Sequence, residues 1–238
     1  ALAGNPNSGK TTIFNNLTGA WQHVGNYPGV TVEKKEGYRK HRDWMLHIVD
    51  LPGTYSLTTH SLDERVARHY IIDEKPDVVV VVVDCSNVER NLYLAVQLME
   101  LQVPLLLVFN MYDIAQKKGF TFTKERLAQL LGCPIVFTTA TRNQGMQELL
   151  DAIVTDTTQR KESFVTPSYG AEIDAYITKL EKLLLDSDCS CPYPRRWLAI
   201  KLLEWDEEIV AFFETEKCSE VLTEAQKERD YLHGVFGD

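Results

Sequence analysis

Residues Gly4-Asn5-Pro6-Asn7-Ser8-Gly9-Lys10-Thr11 match G-x-x-x-x-G-K-[ST] in full, and no other stretch constrains the fold of this chain as strongly. Such a loop works only between the end of a strand and the start of a helix, because its main-chain N–H groups must curl inward around phosphate oxygens. Ala1-Leu2-Ala3 therefore reads as the end of a strand and Thr11 to Leu17 as the helix. Gly4 and Gly9 supply backbone freedom, Lys10 a point charge for the β- and γ-phosphates, and Thr11 a hydroxyl for magnesium. Asn5, Asn7, Ser8 and Thr12 complete the lining of a nucleotide site.

Three further motifs follow in the order that a GTPase requires. Asp50-Leu51-Pro52-Gly53 ends the apolar run Met45 to Val49; Asp50 can hold magnesium through a water, and the Gly53 N–H can meet a γ-phosphate. Asn110-Met111-Tyr112-Asp113 follows the run Leu105 to Phe109 and has the form N-x-x-D. The Asp113 carboxylate can accept two hydrogen bonds from guanine N1–H and the 2-amino group, which adenine does not offer. Thr139-Ala140-Thr141 follows Ile135 to Thr138 and can direct main-chain N–H groups at guanine O6. Between the phosphate loop and Asp50, the segment from Gly25 to Glu33 carries Gly25, Pro28 and Gly29, which argue for irregular backbone. Its Thr31 is the candidate switch threonine that closes on magnesium, with Gly29 and Val30 beside it, and Thr31 to Arg39 then reads as a strand.

Strands at Thr31 to Arg39, Trp44 to Val49, Val78 to Val83, Leu105 to Phe109 and Ile135 to Thr138 alternate with helical patterns. The helices are Thr11 to Leu17, Leu62 to Asp73, Arg90 to Leu101, Lys124 to Leu131 and Gln144 to Thr155. That order predicts an α/β domain whose mostly parallel sheet is covered on both faces, and the valine run from Val78 suits a strand buried on both sides. Residues 1–162 form this domain, Ser163 to Gly170 reads as a linker, and residues 171–238 are helical only. Ile173, Tyr176, Ile177, Leu180, Leu183 and Leu184 form an apolar stripe at helical spacing; Arg196 to Trp205, Glu207 to Phe213 and Ser219 to Val235 are further helices. From Thr166 onward 16 acidic residues stand against 8 basic ones, a balance that repels nucleic acid. No run of 18 apolar residues occurs, so no membrane span is expected within this sequence, nor a signal peptide. Five cysteines without a C-x-x-C pair read as reduced thiols, and Cys189-Ser190-Cys191 lacks the second ligand pair that a metal needs.

The phosphate loop GNPNSGKT, the switch VGNYPGVTVEKKEG from Val24, DLPGTYSLT from Asp50, NMYD from Asn110 and DCSNVERNLYLAVQLMEL from Asp84 resemble the cytoplasmic GTPase domain of the FeoB family of bacterial ferrous iron transport proteins. Residues 1 to about 155 carry the resemblance strongly, and Arg195-Arg196-Trp197-Leu198 resembles the GDI-like helical domain that follows in that family. It implies a Ras-like P-loop fold, binding of GTP and GDP with magnesium, hydrolysis to GDP and phosphate, and a place on the cytoplasmic side of the bacterial inner membrane. The implied partners are the membrane-spanning remainder of the same polypeptide, further copies of the chain, and small cytosolic accessory proteins of iron uptake. By the family pattern Asn7 ligates a potassium ion that stands where an arginine finger would otherwise lie. Carbonyls of Gly25 and Tyr27 complete that site, although Tyr27 replaces a tryptophan often found there. Thr54, where Ras-like proteins carry a water-orienting glutamine, implies slow intrinsic hydrolysis. Lys10, Thr31 and Gly53 are the catalytic candidates. The family's helical domain runs beyond the length present, and Ser56 to Ser61 is shorter than the family spacing. Two rival readings are a soluble ribosome- or RNA-associated GTPase and a non-enzymatic switch that needs an outside activator.

Overall fold

The computed structural model describes residues 1–19, 21–159, 165–187, 189, 191–216 and 218–237. It divides into two compact units, Ala1–Met99 with Val103–Val165, and Glu100–Gln102 with Thr166–Asp238. The domain boundary read at residue 162 and the linker residues Ser163 and Phe164 lie outside the described residues; 165–170 are irregular.

The first unit runs β1 (Leu2–Gly4), α1 (Lys10–Thr18), β2 (Gln22–Asn26), β3 (Glu33–His41), β4 (Trp44–Asp50), α2 (Leu62–Glu74), β5 (Val79–Asp84) and α3 (Val88–Glu100). It continues with β6 (Leu105–Asn110), α4 (Tyr112–Lys117), α5 (Lys124–Leu131), β7 (Ile135–Phe137), a 3₁₀ turn at Ala140–Arg142 and α6 (Met146–Gln159). One seven-stranded sheet has the order β2-β3-β4-β1-β5-β6-β7. From β4 to β7 all neighbours are parallel, whereas β2, β3 and β4 form an antiparallel meander at one edge. Every residue from Val79 to Val83 is buried, as a strand covered on both faces requires. On one face Val80, Val82, Leu106 and Val108 pack with Ile13, Phe14 and Leu17 of α1 and with Leu149, Leu150 and Ile153 of α6. Register pairs Gly4 with Val82 and Asp84 with Asn110, so the carboxyl ends of β1, β5 and β6 open at the same edge. Ligands bind outside that edge in open α/β sheets.

Three features depart from the pattern read above. Gly25 and Asn26, read as irregular, end strand β2, whose side chains are all exposed and whose order comes from pairing with β3, while residues 27–32 are irregular as expected. The strand read from Thr31 begins at Glu33, which leaves Thr31 in the connecting turn. Helix α4 is not among the helices read from the sequence, and Asp113 lies in its first turn. The start of α2 is set by a capping box, with the Ser61 side chain accepting from the Glu64 N–H and the Glu64 carboxylate accepting from the Ser61 N–H. Glu64 also receives the hydroxyls of Ser56 at 2.7 Å and Thr58 at 2.9 Å, which orders the short segment after Tyr55.

The second unit contains α7 (Ala171–Asp186), α8 (Arg195–Glu204), α9 (Glu207–Thr215) and α10 (Ser219–Phe236). Helix α8 packs against the other three and is buried from Trp197 to Leu202. That burial includes Lys201, fully enclosed, bonded to Glu204 and 5.9 Å from the Trp197 ring. Cys189 and Cys218 form a disulfide, against the reading of five reduced thiols. Folding brings the segment before α8 to the residue before α10, 6.3 Å apart between Cα atoms, a proximity across 29 residues that no local spacing reveals. Ser190 lies outside the described residues.

Burial pushes the Glu100 carboxyl up to about 7, against the pull of Lys201. A raised carboxyl binds a proton in the folded state that the unfolded chain has already released, so stability falls as pH rises from about 4.5 to 7. Glu100→Gln is expected to remove that slope. The variant should be more stable than the parent by about 3 kcal/mol at pH 8 and equal to it at pH 4, measured by urea unfolding.

Candidate nucleotide site

Gly4 ends β1 where a side chain would stand 2.7 Å from the Val82 carbonyl, so the backbone can pass only as glycine. Gly9 caps α1 at φ 88°, and a Cβ there would lie 2.2 Å from Asn110 Nδ2. Asn7, also left-handed at φ 67°, is exposed beside Pro6, and Thr11 is exposed in the first turn of α1. The buried Ser8 Oγ and Asn5 Oδ1 have no hydrogen-bond partner among the described residues.

The run after β4 is tied to this loop. Leu51 N–H donates to the Leu2 carbonyl at 2.9 Å and Thr54 N–H to the Gly4 carbonyl at 3.3 Å. Gly53 lies against Pro6, whose Cα would be 3.5 Å from a Cβ at position 53. Lys10 Nζ donates to Asp50 Oδ1 at 2.5 Å and to the Leu51 carbonyl at 2.6 Å, with both charged side chains buried. Burial raises the Asp50 carboxyl above its ordinary range, opposed chiefly by Lys10. The Lys10 ammonium and the Asp50 carboxylate thus face the same space.

Asn110 joins three segments. Its Nδ2 donates to the Ser8 carbonyl at 2.9 Å, and its Oδ1 accepts from Thr138 Oγ1 at 3.0 Å and from the Ala140 N–H at 3.1 Å. The phosphate loop, β6 and the segment after β7 are therefore held together by one buried amide. Met111 caps α4 at φ 58°, next to Gly9. Asp113 is half-buried, with Arg142 at 3.7 Å, a neighbour signalled in sequence only by its place right after Thr139-Ala140-Thr141. Two of the three amides assigned to guanine O6 are engaged within the protein, Ala140 as above and Thr139 with the Gln144 carbonyl at 3.2 Å.

The switch residues are placed differently. Thr31, Gly29 and Val30 occupy the turn between β2 and β3, with Thr31 exposed. Gly25 faces Lys34 in the β2–β3 ladder, and the Tyr27 carbonyl accepts the Val30 N–H at 3.3 Å. The Tyr27 ring is buried, edge-on to Tyr70, and its hydroxyl donates to the Asp50 carbonyl at 3.4 Å. Because β2 stands three strands from β1, roughly 14 Å across the sheet, Gly25 is not gathered with Asn7 in this arrangement.

Comparison with known proteins fits this geometry. Residues 1–153 match the family model described as ferrous iron transport protein B, and residues 169–238 that described as the FeoB cytosolic helical domain. The Fe(2+) transporter FeoB of Shigella flexneri is 46% identical over 209 residues, covering 86% of this chain and 26% of that protein. A Fe(2+) transport protein A/Fe(2+) transporter FeoB fusion protein of Porphyromonas gingivalis is 44% identical over 218 residues, covering 89% of this chain and 26% of that one. The chain spans about a quarter of the length of these relatives. Among solved structures, a GDP-bound mutant of S. thermophilus NFeoB superposes with a TM-score of 0.89 at 36% identity, covering 100% of this chain and 89% of that one. The cytosolic domain of the T. maritima FeoB iron transporter in its GMPPNP form gives 0.81 at 36% identity, covering 98% and 95%. With its P-loop GTPase fold followed by the cytosolic helical domain, the chain belongs to the FeoB family.

Proposed function

We propose that this chain binds GTP with magnesium and hydrolyses it slowly to GDP and phosphate, that potassium stimulates the reaction, and that in the complete polypeptide nucleotide state governs Fe(II) uptake. The observation that carries the reading is the convergence of four segments at the carboxyl edge of the sheet, with Asn110 tying the base segment to Ser8 and Gly53 resting on Pro6. In this reading Lys10 meets the β- and γ-phosphates, the Gly53 N–H meets the γ-phosphate, and Asp113 selects guanine. Thr11, Thr31 and Asp50, the last through a water, form the all-oxygen donor set that suits magnesium. Asn7 offers its amide oxygen to potassium from an exposed left-handed position. Bringing the Gly25 and Tyr27 carbonyls to it requires Gly25 and Asn26 to leave the β2–β3 ladder and the turn after them to rearrange, which supports a switch that closes only on the triphosphate. Potassium, when bound, supplies a fixed positive charge against the charge developing on the phosphoryl group.

Steady-state phosphate release in matched potassium and sodium chloride tests this reading. An arginine finger contributes roughly 10³ to 10⁵ in rate, and a cation in its place should supply part of that, at least about tenfold in potassium over sodium. Asn7→Ala should abolish most of the difference while GDP affinity changes little. Equal parental rates in the two salts, or full stimulation surviving in Asn7→Ala, would remove potassium from the mechanism.

A further inference from the structure

Beyond the bonds of Ser56 and Thr58 to Glu64, the segment after Gly53 is attached to its surroundings at three points. The Thr54 N–H donates to the Gly4 carbonyl at 3.3 Å, and the Leu57 N–H donates to Gln97 Oε1 at 2.7 Å; both residues are buried. Between them Tyr55 is 40% exposed, and the Arg90 guanidinium lies over its ring, 4.1 Å from the centroid. Arg90 belongs to the first turn of α3, and its carbonyl accepts a hydrogen bond from Asn5 Nδ2 at 3.3 Å. The root of this contact is therefore anchored on the phosphate loop itself. Of the three attachments, the one between Tyr55 and Arg90 joins two surface side chains, so it can open without uncovering buried apolar area. Arginine suits the task because its planar, permanently charged group stacks on an aromatic face.

We propose that Arg90 is a positioning residue for GTP hydrolysis: its guanidinium clamps the Tyr55 ring and so holds the Gly53 and Thr54 backbone against the phosphate loop, where the γ-phosphate binds. The inference rests on the GTPase reading above. A cation on an exposed ring shifts the closed-to-open ratio roughly two- to fivefold. Because GDP lacks the γ-phosphate that Gly53 meets, the clamp acts on kcat and leaves GDP affinity unchanged.

The test measures kcat, KM and GDP affinity for Arg90→Gln, Tyr55→Leu, Tyr55→Phe and the double variant Arg90→Gln/Tyr55→Leu, with amide exchange of residues 53–58 followed in parallel. Arg90→Gln and Tyr55→Leu should each lower kcat roughly two- to fivefold and speed exchange by a similar factor. The double variant should be no worse than either single one, and Tyr55→Phe, which keeps the ring, should match the parent. Additive losses in the double variant, or Tyr55→Phe as slow as Tyr55→Leu, would overturn the clamp. A fall of more than about a hundredfold in Arg90→Gln with Tyr55→Leu near normal would also overturn it, by placing Arg90 on the phosphoryl group itself. Absence of turnover in the parent would count against the GTPase reading instead, and exchange at residues 53–58 alone would then decide the clamp.

Discussion

Asp113→Asn is expected to invert base choice, so that the variant prefers xanthosine triphosphate to GTP. In the proposed site the carboxylate accepts from guanine N1–H and the 2-amino group; an amide keeps one acceptor but turns a donor toward the second amine. Xanthine carries an oxygen in place of that amine and accepts what the amide donates. A site that pairs a ligand's polar groups rejects the unpaired analogue by large factors, here at least about 10². Asp113 is half-buried and its ion pair with Arg142 is long at 3.7 Å, so the substitution costs the fold little and the effect should appear in affinity. Competition titrations with GTP and XTP measure it. An Asp113→Asn chain that still prefers GTP would show that guanine is read elsewhere.

Lys10→Ala should weaken triphosphate binding by about 10², since a charge-assisted contact to phosphate is lost. The structure adds a second consequence, because Lys10 is also the buried partner of Asp50 at 2.5 Å. Removing one member of such a pair strands the other and costs roughly 3 kcal/mol or more in stability. The double variant Lys10→Ala/Asp50→Asn removes the stranded charge, and it should recover most of the melting temperature while nucleotide affinity stays low. Thr31→Ala behaves differently. Thr31 is exposed in a turn, so neither stability nor GDP affinity should change, and hydrolysis should slow. Unchanged turnover in Thr31→Ala at saturating GTP would remove this residue from the switch.

What the sequence makes legible is what depends on neighbours along the chain. The loop Gly4 to Thr11 needs its glycines locally, at φ 154° and 88°, and the valines of β5 declare a doubly covered strand by composition alone. The start of α2 was equally available, since Ser61 and Glu64 have capping-box spacing. The rest depends on partners far away. Strand β2 has five exposed residues and no alternation, and it exists because β3 pairs with it. Asn110 reads as a base contact in N-x-x-D, whereas its bond to Ser8 spans 102 residues. The ion pair of Lys10 with Asp50 and the disulfide of Cys189 with Cys218 are likewise products of the folded chain. The switch is least legible because Thr31, Gly25 and Tyr27 take their proposed roles only in an arrangement other than the ladder and turn seen here.

Phosphate release by the 238-residue chain from GTP and from ATP, side by side in potassium chloride with magnesium, tests the central claim most directly. Turnover is expected with GTP, at least about a hundredfold above ATP because adenine leaves Asp113 without its two donors, and it should be lost in Lys10→Ala. No release from GTP above the blank, or equal release from both nucleotides, would contradict the account.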